Sequence, residues 1–147
     1  MELAIKHFHE LTAEELFEIY KLRVSVFIVE QNCPYQEVDD ADLTAVHLYL
    51  KDDTGIQAYL RVLPKGATHN EVSIGRVIAA KRRCGLGTQI VNAGIAVAKE
   101  KFSAKRIIID AQTYARKLYE TVGFIQSGEE FLEDGIPHIP MTYLLEK

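Results

Sequence analysis

Arg82-x-x-Gly85-x-Gly87 is the stretch whose residue types and spacing best suit a chemical task. It follows an apolar run, Val72 to Ala80, and precedes a segment of helical periodicity, so it reads as a turn that opens a helix. The first N–H groups of a helix lack internal partners, and the helix dipole adds partial positive charge there. Glycine lets the backbone curl round an anion without Cβ interference. Pyrophosphate is the ligand that such a turn suits, with Arg82 and Arg83 free to reach outlying phosphates. The pattern is short, and an ordinary glycine turn exposing two arginines would look the same. It is not a Walker A loop, because Gly-Lys-Thr is absent. Nor is it a dinucleotide fingerprint, because it lacks the first glycine and lies mid-chain.

Composition narrows the ligand. The 147 residues carry a formal charge of −4, are 48% hydrophobic and 26% charged, and suit one domain over 1–147 with its own core. The only basic run is Lys81-Arg82-Arg83, enough for one phosphorylated small molecule and too little to track a nucleic acid. No apolar stretch is long enough to span a bilayer, and Glu2, Lys6, His7, His9 and Glu10 interrupt any leader-like start, so a cytoplasmic protein without membrane association is expected. The two cysteines, Cys33 and Cys84, have no C-x-x-C partner and no zinc spacing, so reduced thiols and no metal are expected.

The elements that must position this turn follow from patterning. Leu3-Ala4-Ile5 with Phe8 suggests an opening strand, and Thr12 with Glu15 makes a capping box. Leu16, Ile19, Tyr20 and Phe27 form the stripe of the next helix. Its second half, Val24 to Val29, is β-branched, but no turn residue separates it, and the helix is expected to run to Asn32-Cys33-Pro34. Pro34 to Thr44 is irregular and acidic. Strands are expected at Val46 to Leu50, Ile56 to Leu63 and Val72 to Ala80, with a hairpin at Asp52-Asp53-Thr54-Gly55. After the glycine-rich turn, Val91, Ile95, Ala98 and Phe102 share one helical face, and Gly94 suits close packing on a sheet. Ile107-Ile108-Ile109 reads as a strand covered on both faces. A short helix from about Tyr114 to Thr121 stops at Gly123, and two last strands flank the hairpin signal Asp134-Gly135. The order β-α-loop-β-β-β-α-β-α-β-β implies a mixed α/β fold with helices on a mixed sheet.

Strand, Arg-x-x-Gly-x-Gly, helix, β-branched strand and then Leu118-Tyr119-Glu120-Thr121-Val122-Gly123-Phe124 resembles the GNAT N-acetyltransferase superfamily. Within it, the stretches Val26 to Gln36 and Glu133 to Met141 resemble the ElaA-like branch, and the likeness spans about Leu11 to Leu145. The resemblance implies a central sheet splayed between two strands and acetyl-CoA as co-substrate. It also implies direct transfer of the acetyl group to a primary amine on a small molecule, peptide or protein. Val77, Ile78 and Ala79 match the strand end that pairs with the pantetheine arm. Gly85, Leu86, Gly87 and Thr88 match the pyrophosphate donors, with Arg82, Arg83 and Cys84 in the same turn. Tyr119 matches a tyrosine near the cofactor sulfur, where it could protonate the departing thiolate. A backbone N–H near Ile78 would face the developing oxyanion. Gln112 stands where many members carry an asparagine that holds the pantetheine.

For the base, His138 titrates near neutrality, and Glu30 and Glu37 flank the Cys33-Pro34 segment that borders the acceptor side in this family. Asp39, Asp40 and Asp42 suggest an acidic mouth or plain solvated loop charge. His47, alternating with Val46 and Leu48, should face solvent or a neighbouring strand. Homodimerisation is compatible with the family, although no residue requires it. A non-catalytic acyl-CoA-binding sensor is the alternative to an enzyme on the same residues.

Overall fold

The computed structural model describes residues 1–80 and 85–145. Lys81, Arg82, Arg83 and Cys84, and with them part of the expected anion turn, lie outside the described residues.

Strand β1 (Glu2–His7) pairs antiparallel with β2 (Val46–Asp52). Between them runs helix α1 (Ala13–Val24). Its capping box forms as the sequence implies. Thr12 Oγ1 accepts from Glu15 N at 3.1 Å, and the Glu15 carboxylate accepts from Thr12 N at 2.9 Å. The β-branched second half stays helical but widens into a π-type turn, Ser25–Glu30, with Phe27 buried beneath it. Asn32, at φ 49°, ends it. Asn tolerates this left-handed conformation better than most residues.

β2 returns through the Asp52–Gly55 hairpin into β3 (Gly55–Leu63), where the Asp52 carboxylate accepts from Thr54 N at 2.9 Å. β4 (Val72–Ala79) pairs antiparallel with β3, and its register slips between Tyr59 and Arg61. The slip places Arg76 at φ 54°, a β-bulge built on a non-glycine residue. Helix α2 (Leu86–Phe102) crosses back over the sheet. Val91, Ile95 and Ala98 are buried on its expected face. A Cβ on Gly94 would sit 3.1 Å from side-chain atoms of Leu60 and Ile74, so glycine sets how close α2 lies to β3 and β4.

β5 (Arg106–Gln112) runs parallel to β4. Helix α3 (Arg116–Val122) ends at Gly123, φ 118°, whose N–H donates to the Tyr119 carbonyl at 3.1 Å. β6 (Ile125–Gln126) and β7 (Phe131–Glu133) both pair with β8 (Ile136–Leu144). Asp134 and Gly135, both at positive φ, turn β7 into β8 in the mirror-image geometry that suits hairpin twist.

The sheet order is β1-β2-β3-β4-β5-β8-β6, with β7 on β8. Each pair is antiparallel except β4 with β5, and that ladder holds only Val72 with Ile107 and Ser73 with Ile108. Beyond Ser73 and Ile108 the two strands splay. An apolar core lies on the α2–α3 face around Leu48, Leu60, Ile90, Ile107 and Met141. A smaller one lies on the α1 face around Ile19, Phe27, Tyr59 and Ile78. No helix among the described residues is long and apolar enough to cross a membrane.

Candidate active site

A cleft of about 750 Å³ opens where β4 and β5 part. Gly75 to Ala80 form one wall, and Ile109, Asp110 and Gln112 form the other. Ala80 N donates to Gln57 O at 2.8 Å. Because an antiparallel ladder alternates, Ile78 also turns its N–H to β3, which leaves the N–H groups of Val77 and Ala79 facing the splay. The amide expected near Ile78 is therefore a neighbour's. Ile78 itself contributes a buried side chain on the α1 face.

At one end of the cleft α2 begins. Gly85 caps it at φ 70°, and Gln89 N is the first to bond within the helix, to Gly85 O at 3.0 Å. Leu86, Gly87 and Thr88 thus have N–H groups without helical acceptors, beside a glycine with nothing within 4 Å of where its Cβ would be. These residues fit a pyrophosphate. Gly87 has a packing reason as well, since a Cβ there would lie 3.1 Å from Leu118 on α3.

Tyr119 lies on the same side of the cleft, 5% exposed, with its ring edge-on to Phe124. Its hydroxyl has no hydrogen bond among the described residues, and burial pushes its pKa well above the ordinary phenol value. The hydroxyl therefore keeps its proton at neutral pH.

On the opposite face, His138 is 7% exposed and sits on β8 across from Gln112. Its Nδ1 lies 2.7 Å from the Ile136 carbonyl and so must carry a hydrogen, and its Nε2 lies 3.7 Å from Glu133 Oε2. Gln112 reaches Gln31 at the end of the π-type turn, so its amide is already engaged. Glu30 is exposed at the mouth, and buried Cys33 directs Sγ to the Asp134 carbonyl at 3.2 Å.

Two expectations need correction. Glu37 is 3% exposed, and its carboxylate takes Arg23 Nε at 3.0 and 3.1 Å and also meets Arg76. It ties α1 to the β4 bulge and is not free as a base. Asp42 is 1% exposed, between Arg23 and Arg61, and Asp39 pairs with Arg61 at 2.6 Å. These are not solvated loop charges, because three arginines from α1, β3 and β4 converge on them. Asp40 alone of the three is exposed. His47 faces the neighbouring strand β3, one of the two settings expected of it, and is fully buried, with Nδ1 2.6 Å from the Tyr59 hydroxyl and Nε2 3.0 Å from the Asp42 carbonyl.

The structure also brings together residues that the sequence did not single out. His69 Nε2 lies 2.8 Å from Asp110 Oδ2, and both line the cleft. Arg76 crosses the Tyr35 ring at 5.4 Å. Neither pair carries a spacing signal, since the partners are 41 positions apart in each case. Among the described residues no group of three His, Cys, Asp or Glu is placed to hold a metal ion.

A mixed sheet parted between two parallel strands, with a glycine-capped helix at one end of the opening, defines an acyl-CoA N-acyltransferase fold. Residues 18–145 match the acetyltransferase (GNAT) domain family. The chain is 36% identical to protein ElaA of Escherichia coli over 141 residues, 92% of each chain. It superposes on the crystal structure of that protein with a TM-score of 0.89, at 35% identity, covering 97% of this chain and 98% of the other. An acyl-CoA N-acyltransferase from Pseudomonas aeruginosa gives a TM-score of 0.88 at 37% identity, covering 97% and 99%. The chain belongs to the GNAT superfamily, in its ElaA-like family, and is an acyltransferase.

Proposed function

We propose that the protein transfers an acetyl group from acetyl-CoA to a primary amine by direct attack within a ternary complex. The observation that carries this is the two-pair parallel ladder. It frees the Val77 and Ala79 amides along one wall of a cleft whose end is the N-terminus of α2, where the first N–H groups have no acceptor within the helix.

In this reading β4 pairs with the pantetheine arm through Val77 to Ala79, and Gly85 to Thr88 hold the pyrophosphate with Arg82, Arg83 and the Cys84 backbone. Gln112 and Ile78 line the arm's path. Acetyl-CoA supplies an activated carbonyl and a thiolate leaving group. An N–H of β4 beside Ile78 stabilises charge on the carbonyl oxygen, a fixed donor typically worth about 10²–10³-fold. Tyr119, kept protonated by burial, gives its proton to the departing sulfur, worth about 10²–10⁴-fold. Glu30 at the mouth and His138 on the opposite wall stand on the side left for the amine.

Calorimetric titration with acetyl-CoA, desulfo-CoA and ATP, beside an Arg82→Ala/Arg83→Ala variant, tests the reading. Binding of both CoA forms but not ATP, weakened in the variant, supports it. No binding of any acyl-CoA would remove it.

A further inference from the structure

A carboxylate–imidazole pair that the scheme above leaves unused sits where the amine must arrive. Asp110 projects from β5, and His69 reaches it from the β3–β4 loop, Nε2 to Oδ2 at 2.8 Å. His69 Nδ1 lies 2.8 Å from Thr68 Oγ1, and Thr68 is exposed. The chain of contacts therefore runs from the cleft to solvent.

Register locates the pair. The β4–β5 ladder ends at Ser73 with Ile108, and extending it two residues sets Asp110 across from Gly75, next to the Arg76 bulge. Ile107, Ile109 and Ala111 are buried in the α2-side core, so alternation turns the Asp110 side chain to the opposite face. The α2 N-terminus and Tyr119 occupy the first face. The second is the one open to an acceptor.

The tautomer follows from the partners. A carboxylate at Nε2 requires the hydrogen there, so Nδ1 carries the lone pair and accepts from the Thr68 hydroxyl. Charged groups facing the imidazole are Asp110 on β5 and Glu133 on β7. Asp110 chiefly, with Glu133 adding to it, raises the His69 pKa above the ordinary value against the opposing effect of burial.

We propose that Asp110 and His69 form the acceptor site: Asp110 attracts the substrate as an ammonium ion and holds His69 by Nε2, and the ammonium, seated against the Thr68 hydroxyl on the cleft wall, passes a proton through it to His69 Nδ1 for release to solvent. The proposal rests on the acyltransferase reading. The protons balance. The ammonium group gives one proton to Nδ1, Thr68 donating its own as it receives the incoming one. The freed amine nitrogen then forms the C–N bond as the C–S bond breaks. The second nitrogen-bound proton is lost with amide formation, and the sulfur leaves as a thiol protonated through Tyr119. The net release is one proton per amide. Glu133 within reach of the same imidazole favours a cationic acceptor over a neutral one.

Two measurements test this, one of them independent of turnover. The imidazole resonance of His69, assigned by its loss in His69→Gln, is titrated with pH in the presence and absence of n-butylamine. Butylammonium beside the Thr68–His69–Asp110 chain should lower the His69 midpoint, and Asp110→Asn should lower it without amine and weaken the response. A resonance indifferent to amine would overturn the site. In the second arm, thiol release with the best acceptor from a panel of primary amines is followed from pH 5 to 9. His69→Gln, whose amide can still donate to Asp110, should lose the acidic limb and about 10²-fold in kcat with acyl-CoA affinity unchanged. Asp110→Asn should shift that limb to lower pH. Loss of the limb in His138→Gln in place of His69→Gln would assign the base to His138 and overturn the proposal. Failure to bind acyl-CoA would defeat the acyltransferase reading alone, since the resonance still reports the amine.

Discussion

Gln31 and Gln112 exchange two amide hydrogen bonds, of 3.2 and 3.3 Å, across 81 positions of sequence. The pair fastens the end of the π-type turn to the end of β5 at the cleft. Each amide satisfies the other, so removing either strands a half-buried partner. A double-mutant cycle with Gln31→Ala and Gln112→Ala, followed by urea unfolding, should return a coupling of about 0.5–1.5 kcal/mol. Strict additivity would mean the pair is not formed in solution.

Arg23 is the hub of a second, deeper set of contacts. Its guanidinium is fully buried and meets Glu37, Asp42 and the Glu37 carbonyl. Truncating it leaves two carboxylates buried without their main counter-charge. Arg23→Ala should cost about 3–5 kcal/mol in urea unfolding. A smaller loss would mean water enters to solvate Glu37 and Asp42.

The same network sets the acid response. Burial alone would raise the Asp42 pKa, but Arg23 and Arg61 hold it below the ordinary carboxylate value. Asp39 is lowered likewise by Arg61, against its own burial. A depressed folded-state pKa contributes stability that is complete above the unfolded pKa near 4 and is lost as pH falls through the folded value. Urea midpoints should therefore drop as pH goes from about 5 to 2, and Asp42→Asn should flatten that dependence while lowering stability at pH 7. His69 acts with opposite sign: its raised pKa stabilises the fold at low pH, and that contribution is lost as pH rises through the folded value.

Tyr119→Phe isolates the hydroxyl. The ring packs on Phe124, whereas the hydroxyl has no hydrogen bond among the described residues, so the fold should tolerate the change. Acyl-CoA affinity should stay within about twofold while kcat falls at least tenfold. Equal turnover in the two proteins would assign the proton donation elsewhere.

What the sequence revealed depended on the range of the cause. The Thr12–Glu15 box, the Gly123 stop and the Asp134-Gly135 hairpin are each decided within a few residues, and each stands as expected. The α2 stripe and the existence of β5 were legible from periodicity, but β5 is covered on one face only: Ile108, Asp110 and Gln112 are half-buried, and the last two line the cleft. Pro34 to Thr44 was not: its carboxylates are neutralised by Arg23, Arg61 and Arg76 from three separate elements, and no local pattern encodes that meeting. The His69–Asp110 pair stayed hidden for the same reason. The α2 turn and Tyr119 could be singled out because each lies in a compact motif, whereas the proposed acceptor wall draws on β5, β7, β8 and the β3–β4 loop.

The bulge at Arg76 has a consequence for how β4 can vary. Before it, Val72 and Ile74 pack toward α2; after it, Val77 and Ala79 do so, while Ile78 packs toward α1. The strand is thus written in two reading frames, even-numbered and then odd-numbered, joined at one residue. Deleting that residue would restore a regular strand with Val77 still toward α2 and Ile78 still toward α1, and would cost only the bulge and the Arg76 contacts with Glu37 and Tyr35. Straightening the bulge with every residue kept would instead exchange the two cores' contents from Val77 onward, so the strand tolerates the loss of Arg76 better than the loss of its kink.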